Sequence, residues 1–218
     1  MDWELVLAWA ATLSSIACQL VGIEICLRIV RKGGTGDTSP VPFFAFFISA
    51  CIWLKYSIMR SIYSMIMSNT LGAILQFLYI CIFYIYTVKR NQMHRLISFS
   101  VFLLFGPLIY IRYYQPNDVI AAGQLGLYGC CLTVVCYASP LATVAQVVRS
   151  KSCDSISAPL CVLNFVAAVG WYLYGRIISD LYVSYPNVMG IVLGCLQFAL
   201  FCAYPSRSSS SKTSSLDV

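Results

Sequence analysis

Charge is scarce in this chain. Only 10% of its 218 residues are Asp, Glu, Lys or Arg, against about 25% in an ordinary soluble domain, while 60% are hydrophobic. That shortage excludes a water-soluble globule and points to a lipid bilayer as the solvent. Histidine is rarer still: the single one, His94, sits in a basic segment. No Cys/His spacing therefore resembles a metal site, and no metal or other cofactor is expected. Carboxylates number eight, and neither a pair of them nor a nucleophile beside a base falls within an apolar run, which argues against a membrane enzyme. Cysteine is plentiful at eleven. Yet Cys18, Cys51, Cys81, Cys130, Cys131 and Cys195 lie inside apolar runs, where a thiol behaves as a small hydrophobe, and the expected outer loops contain none.

What is present in abundance is apolar length. A crossing needs about 20 residues, and seven runs offer it: 5–27, 41–59, 62–88, 96–111, 119–148, 157–178 and 182–204. The third and fifth are too long for one crossing and are expected to include loop or interfacial residues; the fourth is short and contains Pro107. The acidic start MDWE lacks the positive charge of a signal peptide, so the first run counts as a span. The expectation is an all-α integral membrane protein of seven transmembrane helices.

Lys and Arg set the orientation. With the N-terminus outside, Arg28, Arg31, Lys32, Lys89, Arg90, Arg95, Arg149, Lys151, Arg207 and Lys212 stay on the cytoplasmic side, against only Lys55, Arg60, Arg112 and Arg176 outside. The positive-inside rule then places the N-terminus outside and the C-terminus in the cytoplasm. The formal charge of +6 follows from topology and calls for no nucleic acid.

An internal repeat organises the chain. Asn69 and Gly72 in SNTLGAILQ reappear as Asn187 and Gly190 in PNVMGIVLGCLQ, at an offset of 118 residues. The same offset brings Arg31 onto Arg149, Trp53 onto Trp171, Tyr56 onto Tyr174 and Ser61 onto Ser179. Gly22 meets Pro140, and Pro42 meets Pro159 one residue out of register. Two three-helix repeats follow, at 1–90 and 118–205, with a linker helix and loops at 91–117 and a disordered cytoplasmic tail at 206–218. One extra span between them makes the repeats parallel, related by an axis along the membrane normal.

Asn69, Gly72, Ala73 and Gln76 share one helical face, and Asn187, Gly190, Gly194 and Gln197 form a second such stripe. Small residues there let helices approach closely. An intramembrane Asn is either interhelical glue or part of a site; two at matching places favour a shared central site. Trp53 lies seven residues before Arg60, about 10 Å deeper by helical rise, which is too deep for an interfacial anchor. Two indoles and two amides facing across an axis fit a pyranose, whose C–H faces stack on aromatic rings and whose hydroxyls bond to amides.

The strings YASPLATVAQVVRSKSCDS, GWYLYG and PNVMGIVLGCLQ, with first-half counterparts IWLKYS and SNTLGAILQ, resemble the SWEET (MtN3/saliva) family of sugar transporters over about residues 5–205. The resemblance implies that Asn69 and Asn187 are paired sugar-binding asparagines, with Trp171 and its counterpart Trp53 stacking on the ring. It implies hinges and an inner gate at Pro42, Pro140 and Pro159, with Gly22 replacing the family's first proline and giving a looser constriction. It implies an outer gate at Tyr56 and Asp180. Tryptophan at both stacking positions is similar to animal members.

The expectation is a facilitative, bidirectional uniporter of monosaccharides, glucose first, working by alternating access. Glu24 is the one intramembrane carboxylate that could couple protons, and Arg28 at i+4 makes it a structural ion pair instead. Two alternatives stand beside this reading: a PQ-loop amino-acid carrier, against which the chain has no Pro-Gln dipeptide, and a seven-helix receptor, against which stands the repeat. The expected partners are the monosaccharide and the lipid bilayer, and family members can associate into homo-oligomers. The plasma membrane is the expected location, with the Golgi or another internal membrane as the alternative.

Overall fold

In a computed structural model, residues 3–153 and 156–204 are described; the tail expected at 206–218 lies outside them. The described residues are helical: α1 (Trp3–Lys32), α2 (Val41–Met59), α3 (Tyr63–Tyr86), α4 (Arg90–Tyr114), α5 (Asp118–Cys136), α6 (Ala138–Ser150), α7 (Ala158–Ile177) and α8 (Leu181–Ala203). Helices are what hydrocarbon demands, since each satisfies its own backbone N–H and C=O groups without water. Taking Asp118–Ser150 as one bent span, seven helices are long and apolar enough to cross a membrane.

Three expected boundaries change. The run at 62–88 is a helix from Tyr63 to Tyr86, with its loop residues confined to the ends at Ile62, Thr87 and Val88. The fourth span is not short: α4 starts in the polar segment RNQMHR, six residues ahead of the apolar run, and has 25 residues. Helical hydrogen bonding continues past the point where hydropathy fades. The fifth run is interrupted at Tyr137, between α5 and α6. Pro140 supplies the reason, because its ring has no N–H and crowds the carbonyl four residues back, which is that of Cys136, the last residue of α5. At the matching position of the first repeat stands Gly22, and α1 passes it without interruption.

Displaced by 118 residues, the helices overlie one another, α2 on α7 and α3 on α8. The turns agree in detail. Ser61 and Ser179 both adopt a left-handed φ of 55°. Behind them, the N–H of Ile62 donates to Ser57 at 2.9 Å and that of Asp180 to Gly175 at 2.8 Å, the six-to-one bond of a Schellman motif. α7 is one residue longer than α2, which accounts for Pro159 falling one residue out of register with Pro42.

Six helices close a ring: α1 packs on α3, α3 on α2, α2 on α5, α5 on α8, α8 on α7, and α7 back on α1. The seams between the repeats are therefore α1 against α7 and α2 against α5. Both use small residues. A methyl added to Gly170 would strike Ala11, and one at Gly129 would press on the Trp53 ring. The linker helix α4 lies outside the ring against α2.

Two prolines inside helices free carbonyls, and neighbouring helices take them up. Pro107 cannot donate to Leu103, and the Tyr128 hydroxyl of α5 donates to that oxygen at 2.9 Å. Pro186 cannot donate to Tyr182, and the Cys130 thiol donates to it at 3.4 Å. Replacing Tyr128 by Phe leaves the Leu103 carbonyl unpaired, at a cost of about 1–3 kcal/mol. The expected outcome is a lower thermal midpoint for Tyr128→Phe in detergent, and little further loss when Pro107→Ala is also present, since an alanine N–H restores the helical bond.

Candidate functional site

A cavity of about 180 Å³ lies inside the ring, lined by Ser15, Gln19, Trp53, Met65, Ser68, Asn69, Thr133, Trp171, Val183, Pro186 and Asn187. All four residues expected to bind substrate thus meet in one place. The two asparagines are held alike. Asn69 Nδ2 donates to the Met65 carbonyl at 2.8 Å, and Asn187 Nδ2 to the Val183 carbonyl at 2.7 Å. Each amide has two N–H donors and a carbonyl acceptor, so one N–H and the oxygen remain for the cavity.

The glycines of the two N-x-x-G motifs serve packing. A methyl on Gly72 would collide with the Gln19 side chain, and one on Gly190 with the Tyr137 hydroxyl. Gln19 and Tyr137 are themselves 118 residues apart. Helix glue and site are therefore divided within the motif, the Gly closing the repeat and the Asn facing the space it encloses.

The tryptophans are tied across the seams. Trp53 donates its indole N–H to Thr133 Oγ1 at 3.0 Å, and Trp171 donates to Ser15 Oγ at 2.8 Å. Ser15 and Thr133 are also related by the 118-residue offset, so each repeat supplies the hydroxyl that orients the other repeat's indole. Each Trp meets its own repeat's Tyr edge-on, Trp53 with Tyr56 at 5.5 Å and Trp171 with Tyr174 at 5.9 Å between ring centroids. Fixed rings present a fixed apolar wall, and the chemistry on offer is a flat apolar contact beside amide and hydroxyl groups.

At one end of the ring, Tyr56 donates its hydroxyl to Asp180 Oδ2 at 2.6 Å. The carboxylate is 3% exposed, so its charge needs compensation. It comes from Tyr56, from the N–H groups of Tyr182 and Val183 on Oδ1 at 3.0 and 3.2 Å, and from Arg60 at 3.6 Å. A methyl on Gly126 would press into the Tyr56 and Tyr182 rings, so α5 closes tightly over this pair. The lock is single: Ile62 stands where the first repeat would need its carboxylate.

Gly22, Pro42, Pro140 and Pro159 do not line the cavity. Pro42 and Pro159 open α2 and α7, positions where a missing N–H costs nothing. The room that a side chain at Gly22 would need is filled by the Tyr79 ring of the same repeat, whose hydroxyl donates to the Gln19 carbonyl at 3.0 Å. Glu24 and Arg28 form an exposed ion pair at 3.0 Å.

Sequence reasoning missed Ser15, Gln19, Ser68 and Thr133. The repeat offset applied to every hydroxyl would have paired Ser15 with Thr133. Gln19 Oε1 is buried and has no partner among the described residues, a signal only coordinates reveal. Removing either hydroxyl leaves an indole N–H unpaired, costing about 1–3 kcal/mol. Ser15→Ala and Thr133→Val should each lower the thermal midpoint, and Thr133→Ser should leave it near the starting value.

Comparison with known proteins follows the same lines. A profile of the MtN3/saliva family, described as a sugar efflux transporter for intercellular exchange, matches twice, at residues 5–91 and 123–209. The two matches are displaced by the repeat offset. The chain is 33% identical over 205 residues to the Sugar transporter SWEET1 of Drosophila pseudoobscura pseudoobscura, covering 93% of this chain and 90% of the relative. It is 32% identical to the Sugar transporter SWEET1 of Xenopus tropicalis, covering 94% and 96%. The Bidirectional sugar transporter N3 of Medicago truncatula is 30% identical, covering 85% and 70%. A solved structure of a eukaryotic SWEET transporter superposes with a TM-score of 0.85 at 23% identity, covering 92% of this chain and 96% of the other, which shows a shared fold.

Proposed function

This chain belongs to the MtN3/saliva (SWEET) family of sugar transporters, and from that premise we propose that it is a facilitative, bidirectional monosaccharide uniporter with glucose as its first substrate. The observation that carries this reading is the repeat-related lining of one cavity, two indoles and two asparagines beside Ser15 and Thr133. A hexose stacks its C–H faces on Trp53 and Trp171, and its hydroxyls bond to the free amide groups of Asn69 and Asn187. At about 180 Å³ the cavity is below the roughly 300–1,000 Å³ of sites for drug-sized ligands, which favours one ring over two.

Transport proceeds by alternating access, the two repeats rocking about the central site. Tyr56 and Asp180 are the outer gate, with Arg60 as its third member, and Pro42, Pro140, Pro159 and Gly22 are the flexing positions. Among the described residues no carboxylate lines the cavity, in keeping with a carrier driven by the sugar gradient alone. The N-terminus is assigned to the outside and the protein to the plasma membrane, on the Lys and Arg bias.

Labelled glucose flux in cells lacking their own hexose carriers tests the reading. Wild type should carry glucose both ways and stop at equal concentrations, and Asn187→Ala at matched surface expression should lose about fivefold or more, one missing charge-free hydrogen bond and its orphaned partner being worth about 1–3 kcal/mol. Sucrose flux equal to glucose flux would overturn the size argument. Tyr56→Phe removes a hydrogen bond to a carboxylate, worth about 1.5–3 kcal/mol. It should shift the resting population toward the state open at Asp180, read as an increase of about tenfold or more in the reactivity of a cysteine placed at Ser15 toward an impermeant thiol reagent in a cysteine-free background.

A further inference from the structure

A second cavity, of about 590 Å³, lies away from the transport site between α2 and α3 on one side and α4 on the other. Its walls include Phe44, Phe77, Cys81, Ile97, Val101 and Phe105. It opens outward: Phe77, Val101 and Phe105 are exposed, and α4 packs on α2 while meeting α3 at Tyr84, whose hydroxyl lies 3.1 Å from His94 Nε2. The groove is almost wholly apolar and lies where hydrocarbon surrounds the protein, so its natural content is an acyl chain.

One end of this groove is basic. Tyr84 and Ile85 form its last turn, and the Arg90 guanidinium sits 4.4 Å over the Tyr84 ring while donating to the Ile85 carbonyl at 3.2 Å. Arg90 also lines a shallow basin of about 390 Å³, together with Val88, Lys89, Asn91 and Gln92. No Asp or Glu occurs anywhere from residue 38 to 117; Asp37 shares with Lys89 a separate polar pocket under the α1–α2 loop. A guanidinium with unspent donors beside a basin of polar side chains and backbone is a fit for phosphate, and basic pockets beside transmembrane helices are where anionic headgroups collect.

We propose that the α3–α4 groove is a binding site for one anionic glycerophospholipid, an acyl chain lying along α4 and the phosphate held by Arg90 in the basin at residues 88–92. The lipid fills the gap left between the linker helix and the first repeat. The site is independent of the sugar cavity and of what that cavity carries.

The test uses the full chain reconstituted in bilayers of phosphatidylcholine and phosphatidylglycerol, extracted gently and weighed by native mass spectrometry. Wild type should retain one phosphatidylglycerol about fivefold in preference to phosphatidylcholine, the preference expected from one basic residue at a membrane surface. Arg90→Gln should bring the ratio near unity, and Arg90→Lys, which keeps the charge, should retain most of it. Val101→Trp, a change on an exposed groove wall, should lower retention of both lipids. Equal retention by wild type, a preference that survives Arg90→Gln, or retention indifferent to Val101→Trp would each overturn the proposal.

Discussion

No polar group inside the hydrocarbon can rely on water, and the architecture of this protein follows from that restriction. Several departures from a plain apolar helix are met by a donor or acceptor from another helix. The carbonyl freed by Pro107 takes the Tyr128 hydroxyl, and the one freed by Pro186 takes the Cys130 thiol. The indole N–H groups take hydroxyls, and the buried Asp180 carboxylate gathers a phenol, two backbone N–H groups and a guanidinium. The indole–hydroxyl pairs and the Tyr56 and Arg60 contacts to Asp180 also join one repeat to the other. Satisfaction of polar groups and assembly of the ring are one requirement.

The two repeats share a plan and differ at two places. Helix ends, left-handed serines, Schellman turns, asparagine anchors and indole–hydroxyl pairs recur at the same offset. The lock at one end does not recur, since Ile62 replaces its carboxylate. Nor does the helix break, because a proline at 140 interrupts what a glycine at 22 leaves whole. Tyr79 occupies the space that the glycine releases, so the missing side chain there produces tighter packing within the first repeat.

Much of this was legible in the sequence. Apolar runs located the spans, and two tryptophans, two asparagines and one constant offset were enough to assemble the four residues now seen around one cavity. Residues that escaped did so for physical reasons. Ser15 and Thr133 are short hydroxyls in apolar runs, where such residues ordinarily bond to their own helix backbone; Thr133 does so, donating to the Gly129 carbonyl at 3.0 Å, and only the crossing of α1 with α7 and of α2 with α5 brings an indole N–H to each hydroxyl. The start of α4 was missed because hydropathy measures contact with lipid, whereas helix length is set by backbone hydrogen bonding that extends into the polar segment. In the sequence Arg60 serves only as a depth reference for Trp53, and its pairing with Asp180 is visible only in the fold.

The exchange of hydroxyls between the repeats has an evolutionary consequence. Each half of the duplication keeps its own aromatic residue but depends on the other half for the group that fixes it. Neither half is therefore free to drift alone at these positions: a change at residue 15 is felt at residue 171, and a change at 133 at residue 53. A chimaera that joins halves of two distant relatives splits both crossing pairs between its parents, and keeps its indoles bonded only where each half brings the hydroxyl that the other half's indole needs.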